Sequence, residues 1–273
     1  MQQALEGAKA RAAAAYNAAS DHFDDPALSF WDRYGFATID RLNLSKGASV
    51  LDVGCGSGAS ALPAAHRVGP SGRVIGVDLA EQLLLRGRAK AAAMGMAQVE
   101  FREADMEKLD FNDGAFDAVV SVFSIFFVPD MVRQIRELWR VVRAGGQLAI
   151  TTWGPRMFEP GSSIWWNAVG QVRPDLLTAF KPWERITAPD AMEKLLIDSG
   201  IRGAVVVPED GRQPLAHPDD WWTVVLGSGY RWTVDQMSAH EAGEVRRICN
   251  DILHRQAVTA IETNVVYALA TRT

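Results

Sequence analysis

VLDVGCGSG, residues 50–58, is a short apolar run interrupted by one carboxylate and closed by three glycines at alternate positions. A strand that ends in such a loop and passes into a helix can take backbone angles closed to other residues. It also brings main-chain N–H groups close to a ligand. One glycine is enough for a tight turn, so Gly54, Gly56 and Gly58 together predict a binding loop.

Downstream, the pattern alternates. RVIGVD (73–78), VEFREAD (99–105), FDAVVSVFS (116–124) and GQLAITTW (146–153) read as strands, joining ASVLDVG (48–54). Segments 59–67, 80–94 and 130–142 carry helical spacing, and in the last Met131, Ile135, Leu138 and Val142 recur at helical intervals. Apolar strands separated by helices predict a parallel sheet covered on both faces, with right-handed crossovers. GAVVV (203–207) and TNVVYALAT (263–271) add two further strands. Helices are expected around HPDDWWTVVLG (217–227), where Pro218 and two aspartates suit a first turn, and over 233–258. The expected organisation is an N-terminal helical lid (1–45), an α/β binding core (46–154) and the rest of the sheet (155–273). Cap insertions fall at about 155–187 and 214–258.

Bulk properties narrow the class of protein. With 48% apolar and 22% charged residues, the chain suits a globular, soluble fold. Two cysteines, Cys55 and Cys249, give no disulfide framework and point to a reducing cytoplasm. A net charge of -5 disfavours nucleic acid as the partner, since phosphate binding needs a basic face. The longest apolar run, AVVSVFSIFFVP (118–129), falls short of the about 20 residues that span a bilayer, so no membrane partner is expected.

Asp78 ends the second strand, twenty residues beyond Gly58, where an acid accepts the hydroxyls of an adenosine ribose. The glycine order is G-x-G-x-G, and Ala59 stands where a dinucleotide loop has its third glycine. Asp105 and Met106 close the third strand, one able to accept from an adenine amino group and the other offering a soft face to its ring.

Taken together, VLDVGCGSG, GVDLAEQLL, EADMEKLDF, FDAVVSVFS and LWRVVRAGGQLAIT resemble, in order, the class I S-adenosylmethionine-dependent methyltransferases, in the branch that includes ubiquinone-biosynthesis-type enzymes. The resemblance covers about 46–154 and implies a Rossmann-like sheet of seven strands, the last antiparallel and inserted beside the fifth, with helical lid and cap insertions. It places Gly54, Cys55, Gly56 and Gly58 against the methionine moiety and ribose, and Asp78 on the ribose hydroxyls. Leu79 packs on the adenine, and Asp105 and Met106 hold its edge. The Ser121 carbonyl meets the methionine ammonium, and Asp52 organises the loop. AYNAASDHFD (15–24) resembles the lid helix of the family, with Tyr16 closing over the cofactor.

The acceptor side is less explicit. Where many relatives carry a histidine within SVFSIFFVPD (121–130), this chain has Phe126 and Phe127, which makes the floor apolar. Trp31, Tyr34, Phe126 and Trp153 are expected to line the acceptor pocket, and His22 and His217 are the histidines placed to reach it. Neighbours in the pairs Trp165–Trp166 and Trp221–Trp222 point about 100° apart on a helix. One of each is expected to pack the cap and the other to line a cavity or an oligomer contact. No cluster has metal-ligand spacing, and no metal is expected. The expected function is methyl transfer from S-adenosylmethionine to an O, N or activated C of a small apolar or aromatic metabolite, by a cytoplasmic monomer or homodimer. The alternatives are a cofactor-binding module without catalysis and an NAD(P)-dependent oxidoreductase, against which the glycine spacing speaks.

Overall fold

A computed structural model describes residues 2–178 and 181–273, and the side chains of these except at 2–6, 8 and 178. Two helices, α1 (Gln2–Ala19) and α2 (Phe30–Asp40), precede the first half of the sheet. There β1 (Ser49–Val53), α3 (Ala61–Val68), β2 (Arg73–Asp78), α4 (Glu81–Ala93), β3 (Val99–Glu103), β4 (Phe116–Val122), α5 (Met131–Val141) and β5 (Val142–Trp153) alternate. Next come α6 (Gly161–Val172), α7 (Pro189–Asp198), β6 (Val205–Glu209), β7 (Arg212–Pro214) and α8 (Asp219–Leu226). The chain ends with α9 (Arg231–Val234), α10 (Ala239–Arg255), β8 (Ala260–Glu262) and β9 (Val265–Thr271).

The main sheet has seven strands in the order β3-β2-β1-β4-β5-β9-β6. β1 to β5 pair in parallel, and β9 runs antiparallel between β5 and β6. This is the Rossmann-like arrangement expected from the sequence. Buried on both faces, β1 keeps Val50, Leu51 and Val53 at 0% exposure, and Asp52 is its one polar interruption. The strand order reverses between β1 and β4, which opens a crevice beyond their carboxyl ends. A short β7–β8 ribbon, absent from the sequence reading, lies outside this sheet. Among the described residues no helix is long and apolar enough to cross a membrane.

Segment 1–45 does not act as one lid. α2 is a core helix: Ile39 and Leu42 pack with Ala61 and Ala65 of α3, while Phe30, Trp31 and Tyr34 enter the main core. A Cβ at Gly35 would stand 2.3 Å from the Ala59 carbonyl oxygen, so the absence of a side chain lets α2 cross the start of α3. From this segment α1, Phe23 and Trp31 reach the crevice. The helix expected over 233–258 is also divided, because Ser238 accepts from the Glu241 N–H while Glu241 accepts from the Ser238 N–H. That reciprocal cap starts α10 afresh, and its S-x-x-E signal was present in the sequence.

Candidate active site

A cleft of about 930 Å³, including its open mouth, lies at the carboxyl ends of β1, β2, β3 and β4 beneath α1. Gly54, Gly56 and Gly58 all have positive φ, of 73°, 51° and 92°. Their neighbours differ. A Cβ on Gly54 would sit 2.2 Å from the Ser124 Cβ, and one on Gly58 would sit 2.9 Å from the Phe101 ring, whereas one on Gly56 would make ordinary contacts only. Internal packing therefore excludes side chains at Gly54 and Gly58, and ligand approach alone does not account for the motif. Gly54, Cys55 and Gly56 line the cleft, while Gly58 turns beneath Phe101 and does not.

Asp78 stands beside this loop at the end of β2. Its two oxygens accept the Gly56 N–H at 2.8 Å and the Ala80 N–H at 2.9 Å, which ties β2 to the loop. Each oxygen keeps a second lone pair for a ligand hydroxyl. Burial pushes the Asp78 carboxyl above its ordinary range, against the pull of those N–H groups. Behind the loop, Asp52 is 1% exposed and does not reach the cleft. The Ser60 hydroxyl donates to its Oδ2 at 2.6 Å and its Oδ1 has no hydrogen-bond partner. Burial raises this carboxyl to about 7. Asp52 thus braces the start of α3 from below.

Leu79, Ala104, Asp105 and Met106 form the far end of the cleft. Asp105 is already engaged there. Lys9 of α1 donates to both its oxygens at 3.0 and 3.1 Å and also pairs with Glu107. This contact spans 96 residues and was not foreseen, since a lone lysine in an alanine-rich helix reads as a solvated one. Ser121, whose backbone carbonyl is the expected contact, sits one residue before the end of β4. It is buried outside the cleft lining, and its hydroxyl donates at 2.7 Å to Ser124, which donates in turn to the Val53 carbonyl at 2.8 Å. The lining at the end of β4 comes from Val122, Phe123 and Ser124 instead. Phe123 holds a left-handed backbone, φ 53°, with its ring stacked on Trp153 at 4.0 Å.

A second, narrow cavity, with about 10 Å³ open to a water-sized sphere, adjoins the cleft, and Tyr16 and Trp31 line both. Phe126, Trp153, Trp183 and Tyr230 complete most of its wall. Trp31, Phe126 and Trp153 thus line this second cavity, whereas Tyr34 does not. The Tyr34 ring is 1% exposed and its hydroxyl donates to the Thr263 carbonyl at 2.5 Å, so it serves the junction of α2 with the ribbon. His22 bonds Asp25 at 3.1 Å, His217 is exposed at the start of α8, and neither lines a cavity. The tryptophan pairs line neither cavity. Trp165 and Trp221, both 0% exposed, close around Tyr230, and Trp166 lies under the Lys181 ammonium at 4.4 Å. They cement the cap. Among the described residues no group of three or more His, Cys, Asp or Glu side chains could hold a metal ion.

Phe158, Met157 and Tyr230 of the chamber escaped the sequence reading because no motif surrounds them. They come from a turn and a cap segment that only the fold brings to β4.

Comparison with known proteins bears on the cleft. Residues 50–146 match the family described as a methyltransferase domain. A demethylmenaquinone methyltransferase of Listeria monocytogenes is 38% identical over 41% of this chain and 47% of its own length. The nocamycin O-methyltransferase of Saccharothrix syringae is 34% identical over 55% of this chain and 52% of its own. These matches thus span about half the length of the curated relatives. Among solved structures, a methyltransferase from an antibiotic biosynthesis pathway of Anabaena variabilis superposes with a TM-score of 0.62, at 18% identity, over 88% of this chain and 96% of that one. The superposition supports the fold alone.

Proposed function

We propose, from the class I S-adenosylmethionine-dependent methyltransferase domain that this chain carries, that the protein methylates a small, largely apolar aromatic metabolite. The observation behind this reading is the meeting, through Tyr16 and Trp31, of a cleft that carries Asp78 and bare loop backbone with a small aromatic pocket. A module that only bound the cofactor would have no use for the second chamber.

The residues of the cleft suit the adenosyl amino acid. Gly54 to Gly56 present bare backbone, Asp78 keeps free lone pairs for hydroxyls, and Leu79 and Met106 supply apolar faces. When bound, S-adenosylmethionine supplies an electrophilic methyl group: an acceptor lone pair forms the new bond as the carbon–sulfur pair returns to sulfur. The tasks left to the protein are alignment and exclusion of water. Tyr16, Trp31 and Phe126 hold a flat acceptor against the cleft, and the cap helices α6, α8 and α10 shield the chamber. No side chain is assigned as a base.

Calorimetric titration with S-adenosylhomocysteine, with NADPH in parallel, tests the reading. Binding of the former alone in the micromolar range, weakened at least about 100-fold in Asp78→Ala, is expected, since two charge-assisted hydrogen bonds are lost at about 1.5–3 kcal/mol each. Binding of NADPH, or of neither ligand, would overturn it.

A further inference from the structure

Lys9, Ala12, Ala13 and Tyr16 line the cleft, and their spacing puts them on one stripe of α1. Lys9 is the cation of that stripe. It comes down on the end of the cleft formed by Leu79, Ala104, Asp105 and Met106. Among the described residues its acid partners are Asp105 and Glu107. Asp78, the other carboxylate of the lining, accepts from Gly56 and Ala80 instead.

The main chain at Asp105 is fixed independently of α1. Its carbonyl accepts the Lys108 N–H at 2.9 Å, and the Met106 carbonyl accepts from the amide of the buried Gln134 at 2.6 Å. The side chain is fixed by two donors. Oδ1 accepts the Glu107 N–H at 2.9 Å and the Lys9 ammonium at 3.1 Å, and Oδ2 accepts the same ammonium at 3.0 Å. A carboxylate has about four lone-pair sites, so the protein fills all but one, on Oδ2. Without Lys9 only the Glu107 N–H would hold the side chain, and Oδ2 could turn.

Resting on the methyltransferase reading, we infer that Lys9 is a positioning residue for the cofactor base. Acting through Asp105, it presents one fixed acceptor to the exocyclic amino group and so sets the preference for adenine over a base with a carbonyl at that position. An amino group donates to such an oxygen. A carbonyl, as in hypoxanthine, sets two acceptors against each other and leaves both without a donor. A carboxylate that is loose before binding discriminates less, because ordering it costs the amino ligand and turning aside spares the carbonyl one.

Calorimetry on the full chain reads this preference without relying on turnover, with S-adenosylhomocysteine and S-inosylhomocysteine as paired probes. The parent is expected to bind the adenosyl compound at least about 30-fold more tightly. In Lys9→Met that ratio should fall about three- to tenfold, through weaker binding of the adenosyl compound and equal or tighter binding of the inosyl one. Lys9→Arg, whose guanidinium can engage both oxygens, should keep the ratio within about twofold of the parent. Asp105→Asn, whose amide can donate or accept, should erase most of the preference. A Lys9 that only held α1 in place would weaken both probes alike, so an unchanged or larger ratio in Lys9→Met overturns the inference. An unchanged ratio in Asp105→Asn overturns it too, since the base would then lie elsewhere. Failure of the parent to bind S-adenosylhomocysteine overturns the methyltransferase reading itself.

Discussion

The cleft takes its floor from the ends of β1 to β4, where lining residues sit within motif runs, and its roof from α1, Phe23 and Trp31. The chamber beside it takes single aromatic residues from α1, α2, β5, the turn after β5 and the cap. Their energetics differ accordingly. The cleft relies on backbone sign and on carboxylates clamped by N–H groups, where an error of one atom is costly. The chamber relies on ring packing, in which one apolar side chain can replace another of like volume.

Substitution in the two regions puts this contrast to its severest test. Gly54→Ala forces a side chain onto φ 73° and against Ser124. Left-handed strain of about 1–2 kcal/mol and overpacking of about 1–3 kcal/mol together predict a loss of roughly 2–5 kcal/mol in urea unfolding. Gly95, also at positive φ but with nothing within 4 Å of an added Cβ, should lose only the strain when changed to alanine. Met157→Leu in the chamber should cost less than about 1.5 kcal/mol. Comparable losses at Gly54 and Met157 would erase the distinction.

The same contrast explains what the sequence disclosed. The seven-stranded order and most of the cleft were legible because strand-end residues are adjacent in the chain to the patterns that make the strands. Asp78, Leu79 and Met106 each follow a recognisable strand. At the pleat of β4 the Ser121 side chain turns inward to Ser124. A buried residue one step before the strand end faces its neighbours, and the lining falls to Val122, Phe123 and Ser124. For the chamber, Trp31 and Trp153 were found from composition and position, whereas Tyr34 could not be told from them, since a buried tyrosine and a pocket tyrosine look alike until the Thr263 carbonyl is in place. Of the two histidines placed to reach the acceptor, His22 bonds Asp25 and His217 is exposed before α8.

Asp52 sharpens the comparison through pH. Its ordinary value of 3.8 rises to about 7 because it is buried, so between those values the folded protein holds a proton that the unfolded chain releases. Stability from this group is therefore fully present at low pH and declines as pH rises through that window, by as much as ~4 kcal/mol. Asn at this position keeps an acceptor for Ser60 and never ionises. Asp52→Asn should gain on the parent by a margin that widens between pH 5 and pH 8 in paired urea titrations. Asp78, raised for the same reason, keeps part of the slope in both proteins. A constant margin across that range would mean that Asp52 is charged throughout.

The smallest expected effect tests whether α1 belongs to the cleft by charge or by packing. Lys9, Asp105 and Glu107 are each about one-fifth to one-quarter exposed, a range in which an ion pair contributes on the order of 0–1 kcal/mol and is weakened by salt. Lys9→Ala should therefore leave urea unfolding nearly unchanged while protease cleavage within α1 speeds up several-fold at low ionic strength. Raising the salt should bring the parent protein toward the rate of the variant. If salt leaves the parent unchanged while the variant is still cut faster, the aliphatic stem of Lys9 is what holds the helix. α1 would then be an extension of the aromatic packing around Tyr16, and the contrast between a charged cleft and an apolar chamber would stop short of the roof they share.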